Sequence, residues 1–132
     1  MGFTNSPLVE YTRISPNKNE CRVDYWSKPG TNIPITSIDR ITIHHMAGVL
    51  TLEAFGDIVA SPTRAMSSNY AVDYNARVGM FCEEKHRSWC TSSKENDYHA
   101  ITIEVSNSSV GGNWPVSDKV LAIAKQFMED KK

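Results

Sequence analysis

The clearest periodic signal in the chain lies at its end. Across "SDKVLAIAKQFMEDKK", residues 117–132, Val120, Leu121, Ala124, Phe127 and Met128 recur at three- and four-residue intervals. Ser117 stands at the cap position and Asp118 in the first turn, so the spacing predicts a helix. Upstream the period changes to two. In "HAITIEVSNSS", Ile101, Ile103 and Val105 share one face of a predicted strand, and Thr102 and Glu104 share the other. "RITIHHM", residues 40–46, is compact and β-branched, which predicts a buried strand. "SSNYAVDYNARVGMFCEE", residues 67–84, reads as two strands joined at "NARVG", with Tyr70, Val72 and Tyr74 alternating against Ala71 and Asp73. In "TLEAFGDIVA", Thr51 caps a predicted helix whose apolar face is Leu52, Phe55 and Val59, although Gly56 weakens it. Residues 1–39 are rich in turn signals ("SPNKNE", "KPGTN", "IPITS"), with a short strand in "PLVEYTRI" and weak alternation in "CRVDYW". "SVGGNWP" is a glycine-rich loop.

Strands and helices are interspersed and one strand pair is a hairpin. The expected fold is therefore α/β, a mixed central sheet flanked by helices. The expected organisation is one domain: an N-terminal arm, 1–39, packed on a core, 40–132. The chain has 132 residues, 40% of them hydrophobic and 22% charged, enough for a real core. Its formal net charge is -1, which argues against nucleic acid or an anionic membrane as partner. "MGFTNSPLVEYTR" lacks the charged start and apolar run of a secretory signal, so cytoplasmic synthesis is expected. Cys21, Cys82 and Cys90 are expected to be free thiols, the alternative being that Cys82 and Cys90 face each other across strands.

Four places carry possible chemistry. His44 and His45 end a predicted strand, where neighbouring side chains point to opposite faces, so a regular strand cannot aim both at one ion. His45 continues the parity of Ile41 and Ile43; if that face is the core, His44 looks into the opposite side. The competing reading is one buried, hydrogen-bonded histidine and one surface histidine. Glu104 lies inside a β-branched strand, either solvated on an open face or buried with a raised pKa that suits acid/base work. Thr102 on the same face suggests a groove floor. Tyr70 by itself reads as a packing residue with one polar handle. His86, Cys90 and His99 complete the soft-ligand inventory, without the helical spacing that would make His86 and Cys90 a zinc pair.

"ITIHHMAG", "SSNYAV", "NARVGMFCEEKHRSWCTSS" and "NDYHAITIEVSN", in this order, resemble the zinc-dependent type-2 N-acetylmuramoyl-L-alanine amidases. That family includes phage and prophage endolysins and is related to peptidoglycan recognition proteins. The resemblance runs from about Pro7 through the last helix. It implies a peptidoglycan hydrolase that meets the cell wall after release from the cytoplasm. It implies His44 as a zinc ligand, Glu104 as the acid/base carboxylate and Tyr70 as the oxyanion donor, all three opening into one cavity. Trp89, Asn107 and Asn69 are then expected to line the substrate groove.

A catalytic zinc uses three protein ligands and a water. The resemblance implies that the second and third come from a segment beyond the final helix, a histidine and then a cysteine or aspartate. Residues 108–132 contain no histidine and no cysteine. The readings are a core incomplete at its C-terminal end, a short form that binds peptidoglycan without cutting it, a second chain that completes the site, or zinc recruited from His86, Cys90 or His99; self-association is a further expectation. Zinc is expected to be weakly bound or absent in this chain.

Overall fold

The computed structural model describes residues 4–20 and 38–130. Cys21 and the "CRVDYW" alternation lie outside the described residues. Among the described residues ten elements follow in order: β1 (Tyr11–Thr12), β2 (Lys18–Asn19), β3 (Arg40–His45), α1 (Leu52–Val59), β4 (Tyr70–Val72), β5 (Val78–Met80), β6 (Arg87–Ser88), α2 (Lys94–His99), β7 (Ala100–Val105) and α3 (Asp118–Asp130). Five strands form one sheet in the order β1-β5-β4-β7-β3. β4 and β5 are the antiparallel hairpin pair; the other three pairings are parallel. β2 and β6 form a separate antiparallel pair.

Period-two alternation divides the sheet into two faces, and each face collects one helix. Tyr70, Val72, Ile101, Ile103 and Val105 pack with Val120, Ala124 and Phe127 of α3. Ala71, from the same strand as Tyr70 and Val72, joins the other cluster with Phe81 and with Leu52, Phe55 and Val59 of α1. The result is the expected α/β architecture, with helices on both sides of a mixed sheet. Thr51 caps α1 as its sequence suggests, its hydroxyl accepting from the Ala54 N–H at 3.1 Å.

Gly56 sits in α1 for a packing reason. A Cβ there would lie 3.0 Å from Arg13 Cδ and 3.3 Å from the Phe81 ring, so its absence lets the N-terminal segment lie against the helix. That segment runs along the β5 edge, with Glu10 N–H donating to Val78 O and Arg13 N–H to Met80 O, both at 3.0 Å. Buried Asn17 then donates to the carbonyls of Val59, Ser61 and Met66 and satisfies acceptors at and just past the end of α1.

Three details depart from the pattern. The stripe of α3 is narrower than its spacing suggests: Leu121 and Met128 are exposed, each one residue round from the buried Val120 and Phe127. β4 stops at Val72 because the Asp73 carboxylate accepts the N–H groups of Asn75 and Arg77, both at 2.9 Å, and starts the turn there. Tyr74 consequently leaves the alternation and is exposed. α2 and the β2–β6 pair are too short to show a period in sequence. Among the described residues no helix is long and apolar enough to cross a membrane.

Candidate functional site

β3 and β7 run parallel in register, with His44 abreast of Glu104. Ile101, Ile103 and Val105 face α3, so the alternate residue Glu104 faces the α1 side of the sheet. His44 Nδ1 lies 3.0 Å from Glu104 Oε1. The two groups meet water differently: the His44 side chain is 53% exposed, whereas Glu104 is 1% exposed. Both stand at the carboxyl ends of parallel strands, where open α/β sheets bind ligands.

A third group closes the carboxylate in. The Cys90 thiol donates to Glu104 Oε1 from 3.9 Å. Its strand exit is held by the buried Asp97 carboxylate, which accepts the N–H groups of Cys90 and Thr91 and the Thr91 hydroxyl. Beside it, Ser88 and Thr102 share a hydrogen bond of 2.6 Å, and Thr102 also meets Asn69. The polar stripe of β7 is therefore roofed at Thr102 by Ser88 and Asn69, as Cys90 covers it at Glu104. Burial pushes the Glu104 carboxyl up to about 8, and the Cys90 hydrogen bond opposes that shift. Burial likewise pushes the Cys90 thiol up, with the nearby Glu104 and Asp97 carboxylates adding to it, so the sulfur stays protonated. Glu104 Oε2 is buried without a hydrogen-bond partner among the described residues.

Tyr70 is not brought to this place. It pairs with Ile103, the residue before Glu104, and so points to the α3 side. Its ring lies 4.9 Å from that of Phe127. Its hydroxyl donates to the Glu84 carboxylate and accepts the Ser6 N–H at 2.8 Å. Burial and Glu84 both raise the phenol pKa, so the group is a fixed donor inside the core. The expected cavity shared by His44, Glu104 and Tyr70 is thus corrected to a pair, because strand parity separates the tyrosine from the other two.

The expected groove residues divide as well. Asn69 is fully buried, its amide donating to Cys82 O and Glu83 O while its Oδ1 accepts the Thr102 N–H. Asn107 is also fully buried; its Oδ1 accepts the Gly48 N–H at 3.1 Å and its amide donates to Trp114 O at 2.8 Å. Neither asparagine lines a groove: both spend their polar atoms tying backbone segments together. Trp89 is half-buried and gives its indole N–H to Asn19 Oδ1 at 2.8 Å. Cys90, weighed in sequence as a partner of Cys82 or as a zinc donor beside His86 and His99, is the residue that pattern reasoning misplaced. Its proximity to Glu104 depends on the Asp97 strap, which leaves no periodic trace.

Among the described residues, no group of three His, Cys, Asp or Glu side chains is placed to hold a metal ion. His86, Cys90 and His99 do not converge, and no disulfide joins Cys82 to Cys90. One imidazole, one buried carboxylate and one protonated thiol do not by themselves make a tetrahedral zinc centre.

Two measurements follow from this geometry. Tyr70→Phe removes two buried hydrogen bonds and is expected to cost about 1–3 kcal/mol in denaturant unfolding. For Glu104, the unfolded chain releases the proton near 4.5 and the folded chain near 8. In metal-free protein its contribution to stability is therefore complete below about 4.5 and is lost as pH rises towards 8. His44 and Cys90 are the groups that face it. Glu104→Gln is expected to flatten that fall in a pH series of unfolding midpoints; an unchanged slope would refute a desolvated carboxyl.

Comparison with known proteins agrees with the chain's architecture. A solved structure of a selenomethionine AmpD derivative superposes with a TM-score of 0.57 at 12% identity, over 96% of this chain and 76% of that one. Staphylococcus aureus hydrolase AmiA, solved in complex with its ligand, gives 0.59 at 11% identity, over 98% of this chain and 65% of that one. At such identities the likeness is one of fold. No curated protein matches in sequence. The profile of the N-acetylmuramoyl-L-alanine amidases does match, over residues 34–131, a span that contains β3, β7 and the His44–Glu104 pair. The chain belongs to the N-acetylmuramoyl-L-alanine amidase family.

Proposed function

We propose that the protein is a peptidoglycan hydrolase that cuts the amide between the lactyl group of N-acetylmuramic acid and L-alanine of the stem peptide. The observation that carries this reading is the His44–Glu104 pair at the carboxyl ends of β3 and β7 in a chain of this family. Water attacks the amide carbonyl carbon and gives its proton to Glu104. Glu104 passes that proton to the amine nitrogen as the C–N bond breaks. The products are the lactyl carboxylate and the free amino end of L-alanine. A carboxyl lifted to about 8 retains the proton well enough to return it near neutrality. The endolysin setting implied by the resemblance has the protein made in the cytoplasm and reaching the wall after release.

Zinc belongs to this proposal as a Lewis acid that polarises the carbonyl and acidifies water when bound. Among the described residues His44 would be its one ligand. One imidazole holds the ion weakly, so the purified chain is expected to carry well under one zinc by elemental analysis. One tightly held ion per chain would contradict that.

The incomplete ligand set among the described residues favours a second reading, a module that binds peptidoglycan without cutting it. Dye release from labelled walls, run beside a wall pull-down in added zinc, separates the two. The hydrolase reading expects release by the wild type. It also expects Glu104→Gln to bind walls while losing release by about a hundredfold or more. Binding without release by the wild type establishes the module, and neither binding nor release would overturn both.

A further inference from the structure

The row of rings at the end of β3 extends past the His44–Glu104 pair. His44 and His45 stack with their centroids 5.8 Å apart and their planes 9° from parallel. His45 in turn lies 5.8 Å from the Trp114 ring at 37°. This is possible because β3 is an edge strand, where a side chain can fold over the rim.

Trp114 is held there against backbone preference. Its φ is +50°, the left-handed region that bulky residues avoid; the other non-glycine residues with positive φ among the described residues are three alanines and a serine. Its N–H donates to Gly111 O at 3.0 Å, and its carbonyl accepts the Asn107 amide at 2.8 Å. Asn107 follows β7 directly, so the strand that carries Glu104 also sets the height of this tryptophan. The ring is half-buried, and beside it His45 is exposed. Strain kept at the rim of a site needs a task.

We infer that His45 and Trp114 form a platform for the flat C–H face of a neutral amino-sugar ring, the glycan side of the substrate. Residues 108–117 contain no charged side chain, which suits a pyranose and not the carboxylate-bearing stem peptide. At the opposite end of β3 the exposed side chains are Arg40 and Asp39, a charged pair 2.6 Å apart. The bound chain therefore changes from sugar to peptide along β3, with the scissile amide at His44. This assignment rests on the hydrolase reading for its orientation, though the platform itself does not need cleavage.

The test is nuclear magnetic resonance of the Trp114 indole during titration with a peptide-free disaccharide of N-acetylglucosamine and N-acetylmuramic acid. The stem peptide alone is the second arm. The disaccharide is expected to shift the indole signal and the peptide to leave it unmoved. Trp114→Ala is expected to weaken disaccharide binding about tenfold, and Trp114→Phe to restore most of it. His45→Ala gives a partial loss and keeps the test valid should Trp114→Ala fold poorly. An indole that ignores the disaccharide, or that answers only the peptide, overturns the platform. An indole that answers the disaccharide in a protein that never releases dye keeps the platform and removes the hydrolase reading.

Discussion

The in-register parallel pairing of β3 with β7 is the constraint on which the site depends. Each strand's parity is set by its apolar residues, but parity alone does not say which residues lie abreast. Register does. A slip of two positions would preserve every face and put Thr42 beside Glu104. Two bonds just outside the ladder oppose that slip: Asp39 N–H to His99 O at 3.0 Å and Met46 N–H to Val105 O at 2.9 Å. The imidazole and the carboxyl are therefore aligned by the backbone before any contact between their side chains.

Desolvation of Glu104 comes from a different part of the chain. The Asp97 carboxylate gathers the N–H groups of residues 90 and 91, and this places the Cys90 sulfur over the carboxyl. A protonated thiol is a weak donor. It excludes water while returning little of the stabilisation that water would give, so the carboxyl holds a proton more tightly than a free glutamic acid, with its pKa raised to about 8. The exposed imidazole at 3.0 Å faces outward from the same oxygen. The pair thus has one dry member that stores a proton and one wet member that can meet a ligand.

Much of this was legible in the sequence. The apolar alternation of residues 101–105 fixed which face Glu104 takes, and Ile41, packed on the α3 side, did the same for His44, whereas Ile43 of the expected buried strand is exposed at the sheet edge. The helices Leu52–Val59 and Asp118–Asp130 followed from caps and spacing. Asn69, Asn107 and Cys90 were not legible in the same way. Asn69 is placed by hydrogen bonds to residues 13 and 33 positions away in sequence, Asn107 by bonds to residues 59 and 7 positions away, and Cys90 by a strap with no period. Trp114 was visible only as part of a glycine-rich loop, because its position depends on a backbone angle and on Asn107.

Tyr70 shows where parity reasoning stops. Its strand was foreseen and so was its alternation, yet the face it takes depends on how β4 meets β7. The observed register puts Ala71, not Tyr70, abreast of Glu104. On the α1 face β4 then offers an alanine with no polar group, preceded by an asparagine whose amide and carbonyl are already engaged. β4 can therefore supply no side-chain donor to an oxyanion at the His44–Glu104 pair, whatever the substrate's pose. Tyr70 instead locks Glu84 and the Ser6 N–H on the far side of the sheet, where its hydroxyl fastens the N-terminal segment to the α3 core. A polar residue inside a family motif can thus be kept by packing, and its chemistry is decided by the neighbour that register assigns to it.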